Sequence, residues 1–233
     1  MRSKHLLLFA IILLSFASCK MGNNRFTVIG EIKDMPKQKV VLEELAVNDV
    51  ITIIDSTSSD DNGKFELSGS APEPGLYRIH FQQNKYILLA IEKGNLKVTG
   101  DWAAMQEYRV DGSPASASLH RLILAIDEHL RDFNTMKMVM DTLQKRGNDS
   151  TTNAAKKDFE DMRLSFTQFV EQYADTTSYL PCAVFAARIL NPRTEGPFLS
   201  AFSQGLERRF PNAKTAKDFG NYYNMVAASM QPQ

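Results

Sequence analysis

Cysteine is scarce in this chain, with only Cys19 and Cys182 among 233 residues. The two are far apart and neither belongs to a C-x-x-C pair. The sequence therefore lacks the thiol pair of a disulfide-exchange site and the paired ligands of a common zinc site. Tryptophan is rarer still, since Trp102 stands alone.

An excess of charge of one sign is also missing. The 27 basic and 27 acidic residues cancel, and no block of Lys or Arg interrupts the chain. Proteins that bind nucleic acid carry a clustered basic surface. We therefore expect no nucleic-acid partner.

The usual catalytic and nucleotide-binding motifs are absent. No P-loop, no G-x-G-x-x-G and no G-x-S-x-G elbow occurs. On one helix, His120 and His129 would lie on opposite faces, because they are separated by about 2.5 turns. His80 falls on the solvent face of a predicted strand. We predict no catalytic residue, no cofactor and no metal; a hydrolase whose triad is assembled only by the fold is an outlying alternative.

One polar segment, "DSTSSDDNGKFELSG", has the spacing of a calcium loop for part of its length. Asp60 and Asn62 fall on ligand positions when Gly63 is aligned with the glycine of such a loop. Gly69, however, stands where a bidentate carboxylate is needed. The segment is better interpreted as a polar hairpin.

The N-terminus has the three parts of a secretory signal peptide. A basic head precedes the apolar run from Leu6 to Phe16, and the small residues Ala17 and Ser18 precede Cys19. The run is shorter than the roughly 20 residues of a membrane-spanning helix. "FASC" resembles the lipobox of bacterial lipoproteins, which implies cleavage before Cys19 and acylation of its thiol. The alternative is an ordinary signal peptide with a cysteine at this place by chance.

These features define the first two segments and a location. Residues 1–18 are the predicted lipoprotein signal peptide, and residues 19–25 are a lipidated tether. Two or three acyl chains anchor a protein stably, so the membrane is an expected partner through the lipid. "KMGNN" after Cys19 lacks the acidic cluster that resembles a surface-export signal. We expect a lipid anchor in the bacterial cell envelope, on the outer membrane and facing the periplasm.

Residues 26–113 have the pattern of short strands. β-branched and aromatic residues are separated by Gly, Pro, Asn and Asp. Alternation predicts that Tyr77, Ile79 and Phe81 face inward and that the residues between them, Arg78 and His80, face outward. Asn62-Gly63 predicts a type I′ hairpin turn. The pattern predicts an antiparallel β-sandwich or a partly open barrel.

Residues 114–230 have helical periodicity. Ser113 and Pro114 are typical of a helix start, and apolar residues then recur at three- and four-residue spacing. The pattern predicts helices over 114–146, 152–173, 180–190, 195–209 and 213–228. Cys182 falls within an apolar helix, which favours an inert core thiol over a reactive one. The predicted fold is α+β, with the β domain followed by a helical bundle.

The ordered pieces of the β region resemble a known domain. "FTVIGEI", "IIDSTSSDDNGKFELSG", "GLYRIHF" and "YRVDGSPAS" are similar to a domain of unknown function in Gram-negative lipoproteins. There it precedes a helical linker and a thioredoxin-like (AhpC/TSA, thiol–disulfide reductase) domain. The resemblance covers about residues 25–115, and the segment from Ser178 resembles the linker. No position matches the W-C-x-x-C of the reductase, so no catalytic residue is carried over.

Two functional interpretations follow. The first is a membrane-anchored envelope lipoprotein that acts as a non-catalytic binding module of unknown ligand, which is a protein or another component of the envelope. The second is the accessory N-terminal region of a thioredoxin-like reductase whose catalytic domain is missing or separate, with a thioredoxin-like partner. We expect residues 20–113 to fold alone; the alternative is that the first long helix covers an open face of the sheet.

Overall fold

The computed structural model describes residues 24–146 and 149–230, and the predicted α+β fold class is confirmed. Two four-stranded sheets form a partly open sandwich, and helices follow. The strands are β1 (Arg25–Lys33), β2 (Lys39–Leu45), β3 (Ile51–Ser58), β4 (Lys64–Ser70), β5 (Gly75–His80), β6 (Tyr86–Ile91), β7 (Gly94–Asp101) and β8 (Arg109–Asp111). A 3₁₀ segment (Trp102–Glu107) connects β7 and β8.

Sheet A has the order β4-β1-β7-β8, and sheet B has the order β3-β2-β5-β6. All neighbouring strands are antiparallel except β1 and β7, which pair in parallel from Phe26 opposite Gly94 to Lys33 opposite Asp101. A parallel pair needs a long crossover, and here the whole of β2–β6 supplies it. Local sequence patterns cannot reveal this pair because its two strands are far apart in the chain.

The core of the sandwich lies between the sheets, where alternate side chains of each strand meet. The predicted inward residues Tyr77, Ile79 and Phe81 are all buried, which confirms the alternation. Phe26 packs edge-on against Tyr77 with ring centroids 5.2 Å apart. Gly30 of β1 lies directly under the Phe65 ring, and any larger side chain there would require the ring to shift.

The polar turn after β3 differs from its prediction. Gly63 has φ of 72°, but Asn62 does not have positive φ, so the type I′ assignment is wrong. Gly63 donates its N–H to the Asp60 carbonyl at 3.1 Å. The Asp60 carboxylate also accepts from the N–H groups of Asn62 and Lys64 at 2.9 and 2.8 Å. This closed turn joins β3 of sheet B to β4 of sheet A, so it is not a hairpin within one sheet.

In the described part of the chain, five helices follow the sandwich: α1 (Pro114–Lys145), α2 (Asp149–Thr176), α3 (Leu180–Ile189), α4 (Gly196–Arg209) and α5 (Lys214–Ser229). Ser113 caps α1, accepting from the Ser116 N–H at 3.1 Å, and Pro114 follows at the first helical position. The predicted bounds agree with these to within a few residues. The helices pack around one apolar cluster, whose buried members include Phe202, Leu206 and Phe219.

The helices cover part of the outer face of sheet B. Leu76, Leu88 and Ala90 of β5 and β6 pack against Leu119 of α1 and Cys182 of α3. α1 also closes the free edge of β6. The Ser116 hydroxyl donates to the Ala90 carbonyl at 2.8 Å and accepts from the Ala90 N–H at 3.1 Å. In the part of the chain that the structure describes, the outer face of sheet A has no such cover and is mostly polar.

Two loops of the sandwich also hold the helices. The Glu73 carboxylate, between β4 and β5, accepts from the N–H groups of Lys214 and Thr215 at 2.7 and 3.0 Å. It thereby caps α5, whose own N-cap residue provides no side-chain bond. In the β2–β3 loop, Asp49 accepts from Arg188 of α3 at 2.5 Å.

Within the described residues, the buried side of the distal part of α1 faces α2. Between residues 130 and 145, only Phe133, Met136, Met140 and Leu143 are not exposed, and between 150 and 162 only Thr152, Ala155, Phe159 and Met162 are not. Each set alternates three- and four-residue steps, which is the repeat of a coiled coil. Phe133 meets Phe159 across the seam, with ring centroids 5.6 Å apart. We call residues 130–145 and 150–162 the hairpin arm.

Candidate functional site

The predicted lipidation site Cys19 lies outside the described residues, which begin near the start of β1. Asn24 is fixed there because its carbonyl accepts from the Ala71 N–H at 2.8 Å. Arg25 then pairs with Ser70 of β4. The place where the predicted tether joins the folded body, at Asn24 and Arg25, is therefore well defined, and we call it the tether root.

Strand register shows what else lies at this end. β1 and β7 start together, because Phe26 pairs with Gly94. β6 ends beside the start of β5, where Gly75 pairs with Ile91, and β2 ends at Leu45 opposite Ile51 of β3. The starts of β1, β3, β5 and β7 thus share one end of the sandwich. We call it the proximal end, and we call the opposite end, with the turn at Asn62-Gly63, the distal end.

The proximal end carries exposed aliphatic side chains. Val50, Ile51 and Ile53 are 52%, 51% and 67% exposed. Ile51 belongs to β3, which lies next to β4 at the edge of the sandwich: the Asp55 carboxylate of β3 accepts from the Ser68 N–H of β4 at 2.8 Å. The tether root and these side chains are therefore separated mainly by the end of β4. They were not identified from the sequence, although "VITII" is apolar on both faces of one strand.

The outer face of sheet B, which the helices cover in part, carries a charged cluster. Glu43 is only 8% exposed, and its Oε2 accepts from Arg78 Nε and Nη2 at 2.7 and 2.6 Å. His80 Nδ1 is 3.7 Å from the other carboxylate oxygen. Arg78 and His80 face outward, as predicted. Because Arg78 donates to the Glu43 carboxylate through two nitrogens, Glu43 is one half of a structural ion pair with Arg78 rather than a free general base.

The thiol of Cys182 is fully buried between α1 and α3. It donates to the Ala115 carbonyl at 3.4 Å. Burial raises the pKa of Cys182 to about 12, so the thiol is protonated at neutral pH. Nearby, Tyr173 and Ser118 share a hydrogen bond of 2.7 Å, and burial raises the pKa of Tyr173 to about 12. This environment is that of a structural cysteine, because the nucleophile of thiol chemistry is the thiolate.

The described histidines do not form a metal centre. His120 stacks on Tyr108, with ring centroids 3.9 Å apart, and its Nε2 lies 2.9 Å from the Gln106 carbonyl. His129 lies at the base of the hairpin arm, against Phe166 and Phe169. Within residues 24–146 and 149–230, no group of three or more His, Cys, Asp or Glu is placed to hold a metal ion.

Two open grooves are present on the described surface. The first, of about 560 Å³, lies at the distal end of the sandwich and is lined by polar residues that include Glu31, Lys33 and Asp61. The second, of about 470 Å³, runs along α4 and is lined by Phe198, Phe202, Gly205 and Arg208 among others. The residues that line these two grooves include no His, Cys or Ser.

One carboxyl pair occurs among the helices. Burial raises the pKa of Glu171, and the neighbouring Glu195, which shares a hydrogen bond with it, raises it further. Arg163 lies 3.9 Å from Glu195. Neither glutamate lines either of the two grooves, so the pair has no substrate space beside it there.

Among the described helices, none combines the length and the apolarity needed to cross a membrane. No curated protein matches the chain at a significant level. Seven chains of solved structures do. One is a 9R-lipoxygenase from Cyanothece PCC8801, with 14% identity over 33% of this chain and a TM-score of 0.21. Another, named "pT26-6p", has 11% identity over 84% of this chain and a TM-score of 0.22.

The chain covers 16% of the length of the lipoxygenase and 42% of the length of the second protein. Similarity at this level carries no argument about fold or function. The family comparison is more informative, because it matches the segment in which the sequence resembles a known domain. Residues 26–119, which are the sandwich and the first residues of α1, match the family model described as a domain of unknown function (DUF4369).

Proposed function

We propose that this chain is a lipid-anchored lipoprotein of the bacterial cell envelope that acts as a non-catalytic binding module for an envelope protein. The signal-peptide pattern and the position of Cys19 support the anchor. The matched family has no assigned activity. The observation that carries the proposal is the direction of the hairpin arm relative to the tether root.

α1 begins at the proximal part of the sandwich and runs to the distal end. Ser116 is bonded to Ala90, near the end of β6, and His120 reaches the carbonyl of Gln106 in the segment that follows β7. From His120 to Lys145 the helix extends about 38 Å further, at 1.5 Å per residue. A chain anchored at Cys19 would therefore hold the arm away from the bilayer.

The surface of the arm suits a protein partner. Leu130 and Met138 are 49% and 63% exposed, and charges of both signs surround them, such as Asp132 and Lys137. A polyanion would be bound by a basic cluster instead. In this proposal, the anchored chain holds the hairpin arm at a fixed distance from the membrane, where a protein partner can bind it.

The proposal can be tested in two steps in intact envelopes. Replacement Cys19→Ala should abolish labelling by an alkyne-tagged fatty acid and release the chain from the membrane fraction. A photo-reactive side chain at Met138 should cross-link to a defined envelope protein, whereas one at Ile29, an exposed aliphatic on sheet A, should not. Fatty-acid labelling that persists in Cys19→Ala would contradict the anchor. Equal cross-linking from Met138 and Ile29 would contradict binding through the arm.

A further inference from the structure

Val50, Ile51 and Ile53 are three exposed aliphatic residues within four consecutive positions of the chain, and we call this set the β3 rim. Two of the three belong to the edge strand β3, and Val50 directly precedes it. Two residues just before them in the chain are already in contact with the helices: Val47 is buried among the helices, and Asp49 is paired with Arg188. Aliphatic side chains of this size, left open side by side, typically mark a contact surface.

The tether limits what can cover this rim. The segment from Cys19 to Asn24 spans at most about 18 Å when fully extended, at up to 3.6 Å per residue. Asn24 is fixed to Ala71, at the end of β4, and the β3 rim lies on the far side of β4. If Cys19 carries acyl chains, Asn24 lies within that distance of the bilayer, which brings the proximal end of the sandwich, including the rim, towards the membrane.

Charge at the proximal end does not oppose such a contact. Arg25 and Lys93 are exposed there, as are Glu92 and Asp111, so the two signs balance. The acidic groups nearest the helices are already engaged, because Glu73 caps α5 and Asp49 holds Arg188. A surface of this kind is expected to enter the interface by its apolar side chains and not by attraction to anionic lipids.

We infer that the β3 rim rests in the interfacial layer of the membrane to which the chain is anchored, with Val50 and Ile51 in contact with lipid. The inference depends on the proposed lipid anchor at Cys19. The partner of the rim is then a lipid surface. The molecule would be oriented with its proximal end on the bilayer and with its hairpin arm pointing away from it.

Single-cysteine labelling can test the inference, because Cys182 is buried and protonated and would not react. The full chain, purified with its lipid, would carry Ile51→Cys labelled with a polarity-sensitive dye. Matched variants would be Ile29→Cys, an exposed isoleucine on the uncovered face of sheet A, and Met138→Cys on the hairpin arm. Each would be reconstituted into phosphatidylcholine vesicles with brominated acyl chains, and near-UV circular dichroism would check that each is folded.

We expect bromine to quench the dye at Ile51 several-fold more than the dye at Ile29 or Met138, with little change as salt is raised. If the chain floats with the vesicles but Ile51 is quenched no more than Ile29, the inference is overturned and the lipid anchor stands. If mass spectrometry finds no acyl group on Cys19 and the chain does not float, the anchor itself fails, and the inference with it. A dye at Ile51 that is shielded without vesicles, in proportion to protein concentration, would overturn the inference in favour of pairing between two β3 edges.

Discussion

At the scale of single residues, close packing inside the sandwich decides what each strand position tolerates. Gly30 is the clearest case: a Cβ built on it would lie 2.0 Å from the Phe65 ring. Gly205, in α4, is its opposite, because a Cβ there would meet nothing within 4 Å. The two glycines therefore make a matched pair.

We expect Gly30→Ala to lower the free energy of unfolding by about 1–3 kcal/mol, since the Phe65 ring must shift within a packed core. Gly205→Ala should raise it by about 1 kcal/mol, because alanine favours the helix and no neighbour is displaced. Urea unfolding of the two variants beside the parent chain measures both. Equal effects of the two substitutions would contradict this account of the core.

Cys182 provides a second prediction at this scale. Its pKa is raised by burial to about 12, above the roughly 8.5 of an exposed thiol in the unfolded chain. A raised pKa in the folded state means that the stability contributed by the neutral thiol is complete below about pH 8.5 and is lost as pH rises towards 12. The slope in that window reaches about 1.4 kcal/mol per pH unit for one such group.

We therefore expect the free energy of unfolding to fall above about pH 9, and to fall less steeply in Cys182→Ala. The residual slope in the variant would come partly from Tyr173, whose pKa is also raised to about 12. Native protein should not react with a thiol reagent at pH 8, and unfolded protein should. Native protein should also fail to reduce insulin. Insulin reduction by the native protein that is lost in Cys182→Ser would contradict the assignment of a structural thiol.

At the scale of elements, the sequence predicts local structure well and long-range partners poorly. The start of α1 at Pro114 and the strand at Gly75–His80 agree with the patterns, because capping and alternation depend on neighbours in the chain. The parallel pairing of β1 with β7 depends on residues that are far apart in the chain, so no local sequence pattern indicates it. The aliphatic β3 rim was missed for the same reason: which face of β3 stays open depends on where its pairing with β2 shifts register, between Leu42 and Glu43, which leaves Ile54 of β3 without a partner in the β2–β3 ladder.

Helix α5 shows how one element depends on a distant residue. Its N-terminal N–H groups are bonded by Glu73, 141 residues earlier than Lys214 in the chain. Loss of a helix cap typically costs about 1 kcal/mol. Its N-cap residue is Ala213, so local sequence could not have predicted a cap.

We expect Glu73→Ala to lower the free energy of unfolding by about 1 kcal/mol and to speed amide exchange in the first turn of α5. Glu66→Ala is a suitable control, because Glu66 is an exposed acid on the outer face of β4. Exchange measured by mass spectrometry locates the effect. Faster exchange spread over all five helices, or an equal effect of Glu66→Ala, would show that Glu73 does not act as a cap.

At the scale of the whole molecule, the question is whether the sandwich and the helices are one folding unit. The predicted boundary at residue 113 separates them, and a sandwich of about 90 residues can carry a core of its own, although a marginal one. The contacts favour the alternative. Helices cover Leu76 and Leu88, Ser116 satisfies the edge of β6, and the family match extends past the boundary to residue 119.

The chain offers a direct measurement, because Trp102 is its only tryptophan and belongs to the sandwich. Its ring packs edge-on against Phe81 of the core, with centroids 6.0 Å apart. Far-UV circular dichroism at 222 nm, in contrast, reports mainly on the five helices. In urea, two probes of one cooperative unit follow the same transition.

We expect the two curves to coincide, and Ser116→Ala to shift both by the same amount, since its hydroxyl joins α1 to β6. Thr135→Ala, in the hairpin arm, is the control: its hydroxyl bonds only to Arg131 of its own helix, so neither curve should shift by comparable amounts. For the same reason, a fragment ending at residue 113 should associate, because it exposes Leu76 and Leu88 and the open edge of β6. Separate transitions for Trp102 and for the helices, with a soluble monomeric fragment, would instead place the domain boundary at residue 113.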